Sequence, residues 1–150
     1  DLVACEDAYE SERVGVMPLV AGAEPGDLWV ADSHFCTRAL LQGWQDAAAS
    51  FIVREHGRHP RVGERGAWSE AVRIDTGRVR ECAITLQALR VQARPCRPWR
   101  CIEIELEEPT ESGSTTLRLW SNLPATVEAA TIAALYRKRW RIEGLFGRLE

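Results

Sequence analysis

Three residues near the end of this 150-residue chain have types and a spacing suited to chemistry on anions and cations: Tyr136, Arg139 and Glu143. They stand at i, i+3 and i+7, so on a helix they fall within about 60° of one another. One face then carries a phenol, a guanidinium and a carboxylate. The guanidinium is a planar fork that matches two oxygens of a phosphate or carboxylate. Carboxylate oxygens suit hard divalent cations. Arg137, Lys138, Arg141 and Arg148 project roughly 100–200° round from Tyr136. A solvated helix face accounts for them as well as a phosphate backbone does. Leu135, Ile142, Phe146 and Leu149 occupy the remaining side. A helix with only a packing duty needs two stripes, and this one has three.

A second acid worth weighing is Asp32. It follows Leu28-Trp29-Val30-Ala31, a short apolar run suited to a buried strand. An acid at the carboxyl end of a strand points into the crevice where α/β sheets place their chemistry. The same residue also suits the cap of a following helix, and both readings stand on this pattern. Ser33 is the expected N-cap of a helix from Thr37 to Ala49, whose apolar side is Leu40, Leu41 and Trp44.

The elements that must position these residues are legible in outline. Cys5 to Val20 is an amphipathic candidate with Glu6, Asp7, Glu10 and Glu12 early, as a helix N-terminus prefers. Residues 23–27 read as a turn, and Phe51 to Arg54 as a strand. His56 to Gly66 is polar and reads as an exposed basic loop; His56 and His59 have no third ligand nearby, so no metal site is expected there. Residues 69–120 hold about four strands at hairpin spacing, an antiparallel β unit. Glu103, Glu105 and Glu107 are expected on its solvated face. Ser121 to Pro124 turns, Thr126 caps, and a helix runs from about Val127 to the end.

Composition bounds the class. Hydrophobic residues make up 45% and charged residues 27%, which fits one globular domain or part of one. No apolar run is long enough for a membrane span and no signal-peptide pattern opens the chain, so a cytoplasmic protein is expected. The net charge of −3 is uneven: residues 1–32 hold eight acids against Arg13, whereas residues 131–150 hold five bases against Glu143 and Glu150. The whole chain is thus no nonspecific nucleic-acid binder, but its C-terminal helix is suited to a polyanion. Five cysteines without a CxxC spacing read as reduced, buried thiols. Cys96 and Cys101 are close enough in sequence to bridge in an oxidising compartment, which nothing else indicates.

The string Tyr136-x-x-Arg139-Trp140-x-Ile142-Glu143-x-x-Phe146 resembles the Y-R-E-K signature of DDE transposases of bacterial insertion sequences. Val30-Ala31-Asp32-Ser33-His34-Phe35 is similar to the family's second-acid strand. The 111-residue gap between Asp32 and Glu143 matches the subgroup that carries a β insertion between its second and third acids. The resemblance spans roughly residues 28–149. It implies an α/β fold, a partial RNase H-like core with an inserted antiparallel β unit. The chain divides accordingly into 1–55 (core with the second acid), 56–120 (β-rich insertion) and 121–150 (core helix with the third acid).

The same resemblance implies Asp32 and Glu143 as catalytic metal ligands. Two Mg²⁺ or Mn²⁺ ions about 4 Å apart activate the attacking oxygen and stabilise the leaving one. It implies Tyr136 and Arg139 on a DNA phosphate, with Arg137, Lys138 and Arg141 on the backbone. The partner is DNA, both transposon end and target, and the complete enzyme is a homodimer. Trp68, Trp99 and Trp120 are available to stack on a flipped base at the cleaved end. Two positions depart from the pattern. No strand bearing the first acid precedes Asp32, so the chain reads as a fragment without strand-transfer activity of its own. The signature Lys falls at position 150, which is Glu150. A noncatalytic DNA-binding or dimerising remnant, and an unrelated α+β interaction protein, are the alternatives.

Overall fold

A computed structural model describes Pro18, residues 20–88 and residues 98–147, with side chains described as far as Arg139. The amphipathic candidate at Cys5–Val20 lies outside the described residues but for Pro18 and Val20. In chain order the elements are β1 (Leu28–Ala31), a 3-10 turn (Ser33–Phe35), α1 (Arg38–Asp46), β2 (Ser50–Arg54), β3 (Val62–Arg65) and β4 (Val72–Ile74). Then come β5 (Gly77–Leu86), β6 (Trp99–Leu106), β7 (Thr116–Ser121) and α2 (Ala129–Gly147). The seven strands form one mixed sheet in the order β1-β2-β7-β6-β5-β3, with β4 also on β5. Only the β1–β2 pair is parallel, in register Leu28↔Ser50 to Ala31↔Val53; β7 pairs antiparallel with β2 and continues the sheet into the β-rich stretch. This is an α/β fold, consistent with a partial RNase H-like core.

The two faces of the sheet follow from the alternation of side chains along a strand. Phe51, Val53, Trp99, Cys101 and Trp120 turn to the face covered by α1, where Leu40, Leu41 and Trp44 meet them. Trp29 stacks on Trp44 at 5.5 Å between ring centres, and Phe51 meets Trp99 edge-on at 5.2 Å. Ile52, Ile102, Ile104, Leu117 and Leu119 turn to the opposite face, where α2 packs with Ile132, Ala133 and Tyr136. Each helix therefore buries one stripe against a different side of the same sheet.

Several boundaries differ from the sequence reading, each for a local reason. The N-cap of α1 is Thr37, whose Oγ1 accepts from the Leu40 N–H at 3.3 Å, so Ser33 is not the cap. That helix stops at Asp46 because Ala47 and Ala48 leave the helical path, Ala48 with φ 57°. Thr126 is not the cap of α2. Residues Pro124–Val127 close a turn through Val127 N–H to Pro124 O at 3.0 Å, and Glu128 O accepts the first helical bonds. The stretch read as a loop contains β3. Val62-Gly63-Glu64-Arg65 has no alternating pattern to betray it, and the strand exists through pairing with β5.

Candidate active site

Asp32 follows the last residue of β1. Trp29 and Ala31 pack on the α1 side and Val30 on the α2 side, so alternation sends Asp32 toward α2. There its Oδ2 lies 3.5 Å from Nη2 of Arg139, with the aspartate side chain 33% exposed. Its Oδ1 accepts from the backbone N–H of His34 at 2.8 Å, capping the 3-10 turn. The His34 ring lies close, with Nδ1 at 3.3 Å from Oδ1. Asp32 is thus both a cap, though of the short turn rather than of α1, and an acid facing the second helix.

Residues 107 apart in sequence meet here because β1 and α2 pack together on one face of the sheet. Tyr136 anchors α2: it is 2% exposed and sits among Ile52, Ile102 and Leu119. Its neighbour one turn on, Arg139, reaches Asp32. Arg137 and Lys138 turn away and border a groove at the far side of the helix. Glu143 lies on α2, one further turn beyond Arg139. The side chains of Glu143 and Arg141 lie outside the described residues.

What holds α2 in place was not legible in the sequence. Arg100 on β6 makes a bidentate pair with Glu81, through Nε to Oε2 at 2.7 Å and Nη2 to Oε1 at 3.0 Å. Its Nη1 donates to Pro124 O at 2.8 Å and Val127 O at 2.7 Å. The guanidinium therefore clamps the loop that launches α2. On the other side of β2, Asn122 accepts from Phe51 N–H at 2.8 Å and donates to Ala49 O at 3.0 Å. Ser121 Oγ donates to Phe51 O at 2.7 Å. The β7–α2 junction is so fastened to the strand beside β1.

A second polar cluster lies on the α1 face, over β5–β7. Glu103 accepts from Arg80 Nε at 2.8 Å and from Arg118 Nε at 2.9 Å. The expectation of a solvated strand face fails at this residue, which is 8% exposed, although Glu105 and Glu107 are exposed. Burial alone pushes the Glu103 carboxyl up, but the hydrogen bonds and charges of Arg118 and Arg80 outweigh it and hold it below its ordinary value. Glu55, just past β2, accepts from Trp120 Nε1 at 2.8 Å, with Arg65 and Arg118 each 3.9 Å away. Two guanidinium groups approach the Trp68 ring, Arg80 at 4.5 Å and Arg65 at 5.4 Å from its centre.

Cys36 and Cys101 are not poised as nucleophiles. Burial pushes the thiols of Cys36 and Cys101 up to about 12, which keeps both protonated at neutral pH. Cys36, Cys82 and Cys101 are free; Cys5 and Cys96 lie outside the described residues. His56 Nδ1 accepts from the N–H groups of Arg58 and His59 at 3.2 and 3.3 Å, a role in the loop's own geometry. Among the described residues no group of three or more His, Cys, Asp or Glu is placed to hold a metal ion. The Asp32 carboxylate offers hard oxygen donors that suit a divalent cation such as Mg²⁺ or Mn²⁺, with the His34 ring nitrogen 3.3 Å from one of them. No helix among the described residues is long and apolar enough to cross a membrane.

A family model for the transposase DDE domain matches residues 2–150, effectively the whole chain. No curated protein matches it.

Proposed function

The chain belongs to the transposase DDE domain family, and on that premise we propose that it carries the second and third acids of an insertion-sequence transposase. Membership implies a DNA substrate and divalent-metal chemistry. The finer reading concerns this chain's own residues. Asp32 and Glu143 hold Mg²⁺ or Mn²⁺, two ions in the complete site. When bound, the metals supply a Lewis acid for phosphoryl transfer at a transposon end. The observation that carries the reading is the Asp32–Arg139 contact at 3.5 Å. It brings the end of β1 against the turn of α2 that precedes Glu143.

Each polar residue then has a task. Arg139 neutralises Asp32 across 3.5 Å, and its planar fork is suited to a DNA phosphate beside the metal ions that Asp32 and Glu143 would hold. Tyr136, packed in the core, sets the depth and rotation of α2 and so the aim of Arg139. Arg137, Lys138 and Arg141 contact the phosphate backbone without reading sequence. The first acid belongs on a strand beside β1, which pairs only with β2 among the described residues. The division into core (1–55, 121–150) and β-rich insertion (56–120), the Y-R-E-K subgroup and a homodimer holding both ends belong to the same proposal. Trp99 and Trp120 are buried, so Trp68, which is partly exposed, is the ring suited to stack on a base at the cleaved end.

Paramagnetic broadening of amide NMR signals by Mn²⁺ tests the metal assignment without requiring turnover. The expected result is broadening confined to residues around Asp32 and the Arg139–Gly147 stretch, lost in both Asp32→Asn and Glu143→Gln. Broadening that survives Glu143→Gln unchanged, or that centres elsewhere, would overturn the assignment. The DNA part is read separately: removing the charges of Arg137, Lys138 and Arg141 should weaken duplex binding and flatten its salt dependence.

A further inference from the structure

The helix α2 does not cover the whole apolar face on which it packs. Beside it an open groove of about 400 Å³ runs between the helix and the β4–β5 turn, over β6 and β7. Ile104 and Leu117 close its base and are nearly inaccessible, so the apolar surface it offers lies on its walls. Its outer wall is Ile74 and Leu106. Val72, which lies across from Val79 on β5 and shares a face with Ile74, is 58% exposed and continues the apolar surface outward. The helix wall is made of Ala130, Ala133 and Ala134, at i, i+3 and i+4. Small side chains at that spacing leave a smooth flank, against which another helix axis can approach to the close end of the roughly 8–10 Å range.

Charge is placed unevenly around this groove. Arg137 and Lys138 stand at its C-terminal end, and no ion pair involving either is found among the described residues. Asp75 stands on the opposite, strand-side rim. An occupant must therefore be apolar along its length and acidic where it meets α2. Duplex DNA satisfies the cations but has no use for the apolar walls. We propose that the groove is a docking site for an amphipathic protein helix whose apolar stripe ends in carboxylates facing Arg137 and Lys138. It is a helix-in-groove arrangement, with apolar anchors at i, i+3 and i+4 seated between the Ile74–Leu106 wall and the alanine flank of α2. This inference does not rest on the metal or DNA assignments above, although it shares two cations with the latter: an occupied groove would compete with DNA for Arg137 and Lys138.

The probe is a designed helical peptide with leucines at i, i+3, i+4 and i+7 and glutamates in its last turn, labelled for fluorescence anisotropy. A twin with lysines in place of the glutamates is the control. The full chain should bind the acidic peptide at least about tenfold more tightly than the twin. Ala134→Phe, a change at an exposed wall position, should weaken binding of the acidic peptide by about tenfold while leaving duplex DNA binding intact. Lys138→Glu should reverse the preference between the two peptides. Equal binding of both peptides, or an Ala134→Phe protein that binds the acidic peptide as before, would overturn the proposal. So would saturable binding to phosphatidylglycerol vesicles with none to the peptide. Should DNA binding fail while the peptide results hold, the groove stands and the DNA assignment falls.

Discussion

Asp32 and Glu103 are both carboxylates on this sheet and both meet arginine, yet their surroundings differ in kind. Glu103 has two arginines within 2.9 Å, one on each oxygen, and its side chain is 10% exposed. Asp32 has one arginine at 3.5 Å, one backbone N–H and the His34 ring nitrogen at 3.3 Å, and its side chain is 33% exposed. The first carboxylate has its oxygens committed to charged donors and is shut away from solvent. The second keeps lone pairs open to solvent and holds its arginine loosely. A group saturated by arginines serves the fold, because nothing else can reach it. A group left half open at a strand end can take a cation. The contrast follows position: Glu103 lies inside an antiparallel stack with a strand on either side, while Asp32 lies past the end of β1, which pairs only with β2 among the described residues.

The comparison is most easily broken from its buried side. Glu103→Ala leaves Arg80 and Arg118 facing each other without their shared acid. A fully buried pair broken this way costs about 3–5 kcal/mol, and the partial exposure of both arginines lowers the expectation to about 2–4 kcal/mol. Urea unfolding should show it as a lower midpoint with an unchanged slope. Arg100→Met comes next. It removes a bidentate partner from Glu81 and the donors for the Pro124 and Val127 carbonyls, so a loss of about 2–3 kcal/mol is expected. Because the clamp holds the start of α2, amide exchange should speed up there more than in α1. Uniform acceleration across both helices would mean that Arg100 contributes only general stability.

How much of this was legible in the sequence depends on which forces set each feature. The strand at Leu28–Ala31 was readable as a short apolar run bounded by a turn, and the helix bearing Tyr136 and Arg139 from its helical spacing. The meeting of Asp32 with α2 was inferable only through resemblance, since no local pattern encodes a contact across 107 residues. β3 was missed because Val62-Gly63-Glu64-Arg65 is held by backbone pairing, not by an alternating apolar face. The burial of Glu103 was missed for a related reason. Alternation correctly puts Glu103 and Glu105 on one face, but only the register Arg80↔Glu103↔Arg118 shows that the first is enclosed by cations. Tyr136 was grouped with Arg139 by helical angle. The angle holds, but the sheet buries the phenol and leaves the guanidinium at the rim.

A pH series sharpens the same contrast with a smaller effect. The folded-state pKa of Glu103 is held below its ordinary value of 4.5. The unfolded state therefore binds the proton first. The stabilisation from this group is fully present above the unfolded pKa and is lost as pH falls through the folded one. Glu103→Gln keeps the side-chain shape and removes the titration. The stability gap between wild type and Glu103→Gln should hold steady near neutral pH and close progressively below about pH 4.5. A gap that widens on acidification would mean the carboxyl is held up by burial rather than down by its arginines.

The smallest expected effect lies at Asp32, and its smallness is what the reading requires. The Asp32–Arg139 pair is long and partly exposed, so a double-mutant cycle with Asp32→Asn and Arg139→Ala should give a coupling of about 0.2–1 kcal/mol. Asparagine keeps an oxygen for the His34 N–H, so the cap of the 3-10 turn survives the change. Without divalent cation, then, Asp32→Asn should unfold almost as wild type does. With Mg²⁺ or Mn²⁺ added, wild type should gain stability as binding to the folded state demands, and Asp32→Asn should gain little. A coupling several times larger, with no separation on adding cation, would make Asp32 a structural acid of the same kind as Glu103. The open carboxylate at the end of β1 would then owe its place to Arg139 alone.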